Sequence, residues 1–261
     1  DYLYRKTGLY FDEKKLYFVA RRVAERMEAT GAGDFRRYFA ELRFGPGERE
    51  LQQLINLLTV NETYFFREYG QLKCFAEEVI PLLVGSRSPP VHLRVWSAGC
   101  ATGEEAYTLA IILKEMTENQ PERITAQVYA TDINTAVLEA ARRGCYGARS
   151  VREVPPQYLS RYFVREGHSW SVVEGLKEMV HFQHLNLLDR TQMRSMRGFD
   201  AIFCRNVLIY FDDAARREVA LHFYDALVPG GFIFLGHAES MSRITPVFKL
   251  RRFADAIIYQ K

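Results

Sequence analysis

The feature that most constrains the fold of this chain is an apolar segment that breaks into a turn of small residues and then resumes as a helical pattern. The segment occupies residues 94–111 and reads RVWSAGCATGEEAYTLAI. Trp96 lies near the end of a predicted buried strand, and Gly99 and Gly103 make a turn with almost no side-chain bulk, so a ligand can approach the backbone closely. A helix is predicted to begin at Glu104. This order of strand, turn and helix predicts a parallel α/β sheet with a pocket at the carboxyl end of the strand.

Two carboxylates at the mouth of this pocket restrict the ligand. Glu104 and Glu105 stand at the start of the predicted helix, which is the place where a phosphate-binding protein offers free backbone amides. Acidic side chains there favour a nucleotide-sized cofactor with ammonium and hydroxyl groups over one with pyrophosphate. S-adenosylmethionine carries those groups, and it is the cofactor that we expect.

The chain divides into a helical part and a part in which strands and helices alternate. Its 261 residues, 48% of them hydrophobic, can fill the core of one large or two modest domains. Residues 1–84 carry apolar side chains at helical spacing, including a helix that Asp34 caps and a last helix over residues 71–84. We therefore predict an all-α domain over residues 1–84, a linker over 85–90 and a sheet domain over 91–261.

The sheet domain alternates strands with helices, which is typical of a parallel sheet with crossover helices. Between residues 144 and 179 the alternation lapses, and β-branched and turn residues predict a small inserted hairpin. The predicted strands cover residues 93–98, 127–132, 180–185, 200–204 and 231–236, with a closing pair within 248–260, and the predicted helices cover 104–116, 135–143 and 213–227.

A second polar position follows the next strand. Asp132 ends the strand in YATDIN, and an acidic residue at the end of the second strand of such a sheet can accept both hydroxyls of an adenosine ribose. An Asp at a strand end is also a common turn or helix cap. Asp132 lies farther from the glycine turn than the roughly 20 residues typical of dinucleotide folds, because a long loop around Pro121 intervenes. Because it follows the glycine turn in register, we favour the ribose role.

A third polar group follows the apolar strand in FDAIFCRNVLIYF, residues 199–211. Asn206 and Tyr210 bring hydrogen-bonding groups to the edge where the reaction would occur. The alternative is that Asn206 caps a turn and that Tyr210 packs in the core with its hydroxyl at the rim. We interpret Cys204 as a buried strand-end cysteine and not as a reactive thiol. The sequence contains no Asn-Pro-Pro-Tyr type of motif, which is associated with methylation of nitrogen.

Composition argues against several other classes of protein. A net charge of +3 falls well short of the basic surface of a nucleic-acid binder. No apolar run approaches the roughly 20 residues that cross a bilayer, so we expect neither a signal peptide nor membrane insertion. The four cysteines form no CxxC pair, which favours reduced thiols in a cytoplasmic protein. His181 and His184, three residues apart on a predicted strand, face opposite ways, so we expect no metal.

Six short segments follow one another in a specific order. They read NETYFFRE, SAGCATGEEAYTLA, ATDI, LNLLD, FDAIFCRNVLIYF and PGGFIFLGHAES. In order and spacing they resemble the chemotaxis receptor methyltransferase family (CheR). The resemblance implies a class I S-adenosylmethionine-dependent methyltransferase fold, a Rossmann-like mixed sheet with a small all-α amino-terminal domain. It further implies an enzyme that esterifies glutamate side chains on the cytoplasmic helical domain of chemoreceptors, with S-adenosylhomocysteine as the product.

The resemblance also implies roles for parts of the chain. The insertion at 144–179 matches the family's antiparallel β-subdomain, which in some members binds a peptide at the receptor's carboxyl terminus. Arg67 matches a residue near the methionine end of the cofactor, Tyr210 matches a tyrosine near the methyl group, and we expect both to be catalytic. We expect the enzyme to act as a monomer. The positions that match cofactor contacts are Asn61, Thr63, Arg67, Gly99, Glu104, Asp132, Asn186, Leu187, Asn206 and Val207.

Esterification of a carboxylate requires little acid–base chemistry from the protein. A glutamate is already ionised at pH 7, so its attack on a sulfonium methyl needs no general base. We hypothesise that Arg67 and Tyr210 align the reactants and are not proton shuttles. Two other functions stay open: a methyltransferase of the same fold for another protein, RNA or a small molecule, and a module that binds the cofactor as a signal. We interpret the arginines of the first two helices as a solvated face, and docking on an acidic receptor surface is the alternative.

Overall fold

The computed structural model describes residues 1–45, 47–119 and 123–261, so the loop around Pro121 lies outside the described residues. No helix within these ranges is long and apolar enough to span a membrane. The α-helices are α1 (Tyr2–Thr7), α2 (Leu16–Thr30), α3 (Phe35–Phe44), α4 (Glu48–Leu58), α5 (Tyr69–Cys74), α6 (Ile80–Gly85), α7 (Glu104–Thr117), α8 (Thr135–Arg143), α9 (Ala148–Val151), α10 (Pro156–Tyr162), α11 (Glu174–Lys177), α12 (Arg190–Ser195), α13 (Asp213–Ala226) and α14 (Met241–Ile244). The strands are β1 (Val91–Ala98), β2 (Ile124–Asp132), β3 (Cys145–Gly147), β4 (Phe163–Glu166), β5 (Ser169–Val172), β6 (Val180–His184), β7 (Phe199–Cys204), β8 (Leu227–Leu235), β9 (Lys249–Arg252) and β10 (Ile257–Gln260).

Seven strands form the main sheet in the order β6-β2-β1-β7-β8-β10-β9. Strands β6, β2, β1, β7 and β8 are parallel, whereas β10 is antiparallel to β8 and β9 is antiparallel to β10. Every residue of β7 is buried, as expected of a parallel strand with helices on both faces. The strand order reverses between β1 and β7, and such sheets open a ligand crevice at this point, beyond the carboxyl ends of the strands. The predicted mixed sheet is confirmed.

Apolar side chains fill both faces of the sheet. On one face Trp96 packs against Phe199 and Phe223, with ring centroids 5.2 and 5.3 Å apart. On the other face Phe203 stacks on Phe234 with centroids 4.2 Å apart. All five rings are fully buried, and burial of one such side chain contributes roughly 2–3 kcal/mol to stability. This packing holds the ends of β1, β7 and β8 in fixed positions.

The amino-terminal helices have a core of their own. Helix α3 begins where the carboxylate of Asp34 accepts a hydrogen bond of 2.9 Å from the backbone N–H of Arg37, so the predicted cap is confirmed. Helix α1 was not predicted, because its six residues are too few to show a helical period. The buried members of this core are Tyr38, Leu42, Leu54 and Leu58.

The helix predicted over residues 71–84 packs on the sheet and not on the helical core. It is continuous from α5 through a π-helical turn, Phe75–Val79, into α6. The ring of Phe75 lies edge-on against Phe203 and Phe234, with centroids 5.1 and 5.8 Å away. The sequence prediction ended the all-α domain after this helix, at residue 84. Because the apolar face of the helix is buried against the sheet, we propose instead that the boundary lies near residue 60.

A second, three-stranded antiparallel sheet interrupts the main domain at the predicted place. Its strand order is β3-β5-β4, and β4 and β5 form the predicted hairpin. The Tyr146 hydroxyl donates a hydrogen bond of 2.7 Å to the carbonyl of Thr102, and the Phe65 N–H donates one of 3.0 Å to the carbonyl of Ser150. This β-subdomain is therefore bonded both to the glycine turn after β1 and to the segment after α4.

Candidate active site

A cavity of about 460 Å³ opens beyond the carboxyl ends of β1, β2 and β7, between the sheet and the amino-terminal helices. It is the place where a parallel sheet of this topology is expected to bind its ligand. The residues that line it fall within 7–18, 58–67, 99–105, 131–133, 185–187 and 205–211.

The glycine turn forms the floor of the cavity. Gly99 has a φ of 83°, and a Cβ atom on it would lie 2.4 Å from Cγ2 of Val207. The N–H groups of Gly99 and Cys100 both donate to the carbonyl of Thr131, at 2.8 and 2.9 Å. The turn after β1 is therefore tied to the end of β2, and only a residue without a side chain fits at its first position.

Asp132 lies at the end of β2 and both supports the turn and faces the cavity. Its Oδ2 accepts a hydrogen bond of 2.9 Å from the Ala101 N–H, and its Oδ1 accepts one of 2.9 Å from the Asn134 N–H. Burial raises the pKa of this carboxyl above its ordinary value, although these N–H groups oppose the shift. Asp132 also lines the cavity. Its role in the turn is present, and ribose binding stays a prediction.

The two adjacent glutamates at the start of α7 point in different directions. Glu104 does not line the cavity: it is 2% exposed, its Oε1 accepts from the Ser150 hydroxyl at 2.9 Å, and its Oε2 accepts from the Thr102 hydroxyl at 2.6 Å. Glu105 lines the cavity, and its Oε1 accepts from the Ser97 hydroxyl at 2.6 Å. Successive helical residues point about 100° apart, so only one of the pair can face the ligand. The structure therefore does not bring Glu104, the predicted cofactor contact, to the cavity wall, and we propose Glu105 for that contact.

The segment NETYFFRE brings Asn61, Thr63 and Arg67 to the cavity wall. Two buried aromatic rings anchor it, because Phe65 packs edge-on against Tyr146 at 4.8 Å and Phe66 stacks with Tyr158 at 5.7 Å. The Arg67 guanidinium donates to the carbonyl of Glu62 at 2.8 Å. The anchored rings leave the polar side chains of the same segment free to face the cavity.

The loops after β6 and β7 complete the wall with the other predicted residues, which are Asn186, Leu187, Asn206, Val207 and Tyr210. The side-chain amide of Asn186 donates to the carbonyl of Lys6 at 2.8 Å. Burial raises the pKa of the Tyr210 hydroxyl, and the nearby positive charge of Arg67 opposes that shift. Both residues predicted to be catalytic therefore face the same cavity, close enough to influence each other.

Backbone strain is concentrated around this cavity. Within the described ranges, the non-glycine residues with positive φ are Phe66, Glu68, Ala101 and Asn206. Each lies in a loop that contributes to the wall or supports it. Such conformations cost of order 1–3 kcal/mol apiece and persist where the surrounding structure holds them, which is typical of functional sites.

Sequence reasoning missed the roof of the cavity. Thr7, Leu9, Tyr10, Phe11 and Lys15 line it from the amino-terminal segment. The segment is held by a backbone bridge between Leu9 and Phe211 and by a hydrogen bond of 2.9 Å from the Tyr10 N–H to the carbonyl of Tyr210. No local pattern in the sequence signals this contact, because its partners lie about 200 residues apart.

The lining suits the expected cofactor. The volume is in the range of small-molecule sites. Asp132 and Glu105 offer carboxylates to hydroxyl and ammonium groups, and Leu187 and Val207 offer apolar surface to a base. Within residues 1–45, 47–119 and 123–261, no group of three or more His, Cys, Asp or Glu side chains could hold a metal ion.

Comparison with known proteins gives consistent matches over the whole chain. Residues 1–59 match the model of the all-alpha domain of CheR methyltransferase, and residues 61–257 match the model of its SAM binding domain. A "Chemotaxis protein methyltransferase 2" of Vibrio cholerae is 44% identical and is covered over 90% of its length by 100% of this chain. The chemotaxis protein methyltransferases of Salmonella typhimurium and Borreliella burgdorferi are 38% and 34% identical, over 95% and 92% of this chain and 84% and 85% of their own lengths.

The predicted fold and the predicted cofactor, S-adenosylmethionine, are thereby confirmed, and the two matched models meet at residues 59 and 61. With both domains matched and a cavity of suitable chemistry at the switch point of the sheet, this chain belongs to the CheR methyltransferase family.

Proposed function

We propose that this protein transfers a methyl group from S-adenosylmethionine to glutamate side chains of chemoreceptors and forms glutamate methyl esters in the cytoplasm. The names of the relatives support a role in chemotaxis. The observation that carries the choice of acceptor is the pairing of Arg67 and Tyr210 on one cavity wall that, among the described residues, includes no histidine. Such a wall suits an acceptor that is already anionic.

The acceptor needs no base to become a nucleophile. A glutamate side chain has a pKa of about 4.3, so more than about 99% of it is ionised at pH 7. S-adenosylmethionine, when bound, would supply a methyl group on a positively charged sulfur. A carboxylate oxygen in line would bond to the methyl carbon as the carbon–sulfur bond breaks, with S-adenosylhomocysteine as the leaving group. Because opposite charges are lost as the ester forms, exclusion of water and correct alignment by the protein supply most of the acceleration.

Four side chains have distinct tasks in this proposal. The Arg67 guanidinium holds a carboxylate through a pair of parallel hydrogen bonds. Tyr210 keeps its proton at neutral pH because burial raises its pKa, so its hydroxyl donates a hydrogen bond that orients the attacking oxygen. Glu105 accepts the ammonium group of the cofactor, and Asp132 accepts its ribose hydroxyls. Glu105 faces the cavity from the first turn of α7, and Asp132 faces it from the end of β2.

The test uses methyl-labelled cofactor, the purified protein and membranes that carry chemoreceptors. A methyl ester releases volatile methanol when the pH is raised, so we expect the label to leave the protein fraction as vapour. Label that stays on protein or RNA in alkali would point to nitrogen or ribose methylation and contradict the proposal. Binding of S-adenosylhomocysteine in a calorimeter without any transfer would favour the signalling module.

We further propose that the β-subdomain binds the carboxyl-terminal peptide of a receptor and that the enzyme is a monomer. The support is that β3 and β4 are the two edges of the small sheet, and an extended peptide can add to such an edge through main-chain hydrogen bonds. Trp170 on β5 gives a fluorescence signal for the titration. Unchanged fluorescence and no heat on adding receptor peptides would contradict the peptide site, and light scattering tests the monomer.

A further inference from the structure

Arg205 follows β7 directly and joins three segments of the cavity. Its side chain is only 4% exposed. Its Nε donates a hydrogen bond of 2.7 Å to Oε2 of Glu105, and its Nη1 donates one of 2.8 Å to the carbonyl of Arg67. The same Nη1 lies 3.7 Å from Oε2 of Glu68. One guanidinium thus contacts the helix after the glycine turn and the segment after α4.

Two nearly buried carboxylates beside Arg205 require a positive charge at its position. The side chains of Glu105 and Glu68 are 12% and 13% exposed, so both carboxylates are largely removed from water. Oε2 of Glu68 is buried without a hydrogen-bond partner, and two basic groups lie 3.7 Å from it, Nη1 of Arg205 and Nε2 of His237. Of these two side chains, His237 is 71% exposed and Arg205 is buried. A buried charge without a partner is strongly destabilising. Without the guanidinium the two carboxylates would repel each other and turn away from their present positions.

Two residues close to Arg205 have strained backbone conformations. Asn206 has a φ of 61° and Glu68 has a φ of 57°, both in the left-handed region that side chains disfavour. The side-chain amide of Asn206 donates to Oε1 of Glu68 at 3.3 Å. Contacts of this kind are needed to hold two strained residues beside each other. Arg205 precedes Asn206 in the chain, its Nη1 lies 3.7 Å from Oε2 of Glu68, and it also lines the cavity.

We propose that Arg205 is a positioning residue for methyl transfer. Through Glu105 it sets the direction of the carboxylate that accepts the ammonium group of the cofactor. Through the carbonyl of Arg67 it sets the place from which the Arg67 side chain reaches the acceptor. Both effects rest on the proposed function, the first on the task of Glu105 toward the cofactor and the second on a carboxylate acceptor.

The shape of the guanidinium is what this role requires. Its donors lie in one plane and serve the Glu105 carboxylate and the Arg67 carbonyl at the same time. A lysine ammonium is a point charge on a flexible stem and satisfies one of the two acceptors. Arg205→Lys therefore keeps the charge of the site and loses its geometry.

The experiment compares Arg205→Lys with Arg87→Lys. Arg87 pairs with the buried carboxylate of Asp200 at the other end of β7, far from the cavity, and is a matched control for loss of a guanidinium from an ion pair. Calorimetry with S-adenosylhomocysteine alone measures cofactor affinity, and labelled transfer to receptor membranes measures kcat and KM. We expect Arg205→Lys to bind the product at least about 10-fold more weakly and to lower kcat as well, because hydrogen bonds to charged groups are lost. Arg87→Lys is expected to lower the melting temperature and to leave both quantities unchanged.

A second variant distinguishes a positioning role of Arg205 from a role in folding alone. Arg205→Ala opens a space next to the cavity, which added guanidinium ions can reach at concentrations far below those that unfold proteins. We expect guanidinium to restore S-adenosylhomocysteine binding and ammonium to fail. Wild-type affinity and kcat in Arg205→Lys would overturn the proposal, as would a loss in Arg205→Ala that only follows the folded fraction. Because the binding measurement contains no receptor, it stays decisive even when the acceptor proves not to be glutamate.

Discussion

Gly99 shows how one missing side chain shapes the cavity. Its φ of 83° suits glycine, and the space where a Cβ atom would lie is filled by Val207. Gly31 has a similar φ of 68° at the end of α2 but has no atom within 4 Å of the same position. Substitutions at the two glycines therefore separate the free-energy cost of a strained backbone from that of a steric clash.

We predict that Gly99→Ala lowers the free energy of unfolding by about 2–5 kcal/mol, whereas Gly31→Ala lowers it by about 1–2 kcal/mol. Both variants place a side chain at positive φ, and only the first also forces a methyl group against Val207. Thermal unfolding gives the stabilities, and calorimetry with S-adenosylhomocysteine gives the affinities. Equal melting temperatures and equal affinities for the two variants would show that Val207 moves aside without cost.

Replacement of Tyr210 tests whether its hydroxyl aligns the reactants or transfers a proton. We predict that Tyr210→Phe slows methyl transfer by about 3–10-fold, the worth of one hydrogen bond, and leaves the affinity for S-adenosylhomocysteine unchanged. Because burial raises the pKa of this hydroxyl above its ordinary value of 10.0, it stays protonated through neutral pH. The rates of wild type and variant should therefore keep a constant ratio between about pH 6 and 9.

The companion variant is His237→Gln, since this histidine is 71% exposed and does not line the cavity, although its Nε2 lies 3.7 Å from Oε2 of Glu68. It should leave the rate and its pH dependence as they are. A steep loss of rate in the histidine variant with product binding intact, or a Tyr210→Phe deficit that grows with pH, would mean that the site moves protons.

At the scale of elements, single side chains change the shape of helices. The helix over residues 69–85 contains a π-helical turn just before Pro81. Proline has no N–H, and its ring collides with the carbonyl of the preceding turn, so a wider turn removes this steric clash.

In the helical domain, one carboxylate joins three helices. Oε1 and Oε2 of Glu50 on α4 accept bonds of 2.9 and 2.7 Å from Arg26 on α2, and Oε1 also accepts one of 2.9 Å from Tyr38 on α3.

We predict that Glu50→Gln destabilises the helical domain by about 2 kcal/mol at pH 7, because it removes charged hydrogen bonds from a mostly buried cluster. Burial opposes the ionised form, but the bonds from Arg26 and Tyr38 lower the pKa of the Glu50 carboxyl below its ordinary value of 4.5. Its contribution is therefore complete above about pH 4.5 and is lost as the pH falls through the lowered value. Hydrogen exchange of amides in α2 to α4 measures the difference.

The matched control is Glu41→Gln, which breaks a pair with Arg37 on the surface of α3. Exposed pairs of this spacing contribute about 0.3–0.5 kcal/mol at most, so the variant should resemble wild type at every pH. A Glu50→Gln deficit that stays the same from pH 7 down to pH 3 would show that packing, and not charge, holds the three helices together.

At the scale of the whole molecule, the cavity joins the two domains. The Tyr4 hydroxyl donates to Oδ2 of Asp212 at 2.7 Å, and the Tyr10 N–H donates to the carbonyl of Tyr210 at 2.9 Å. Together with the bond from Asn186 to the carbonyl of Lys6, these contacts hold the amino-terminal segment over the ends of the strands. A ligand in the cavity contacts both domains, so its binding energy stabilises their association.

We predict that S-adenosylhomocysteine at 100 times its dissociation constant raises the stability of the protein by about 2.7 kcal/mol. Because residues 7–18 contribute to the cavity lining, hydrogen exchange in this segment, and at the Tyr10 amide in particular, should slow together with exchange in the glycine turn. Protection confined to the turn and the sheet would show that the amino-terminal segment opens independently of the ligand.

Local sequence patterns predicted the order of the helices and strands and many of their first and last residues. Helix α8 begins and ends where predicted, because Asn134 caps it and Gly144 ends it in the left-handed conformation. The buried strands were found as apolar runs, although β8 begins at Leu227 and not at residue 231, since its Pro and Gly residues hide its start. Of the site residues predicted from the motif matches, all but Glu104 line the cavity.

Only the tertiary structure decided which of two adjacent glutamates lines the cavity, that the helix over residues 69–85 packs on the sheet, and that the amino-terminal segment covers the cavity. Arg205 and Glu105 are 100 residues apart in the chain and 2.7 Å apart in space. Sequence periodicity reports the burial of a residue within its own helix or strand. It carries no information about the element that packs against it, because that contact forms only when the whole chain has folded.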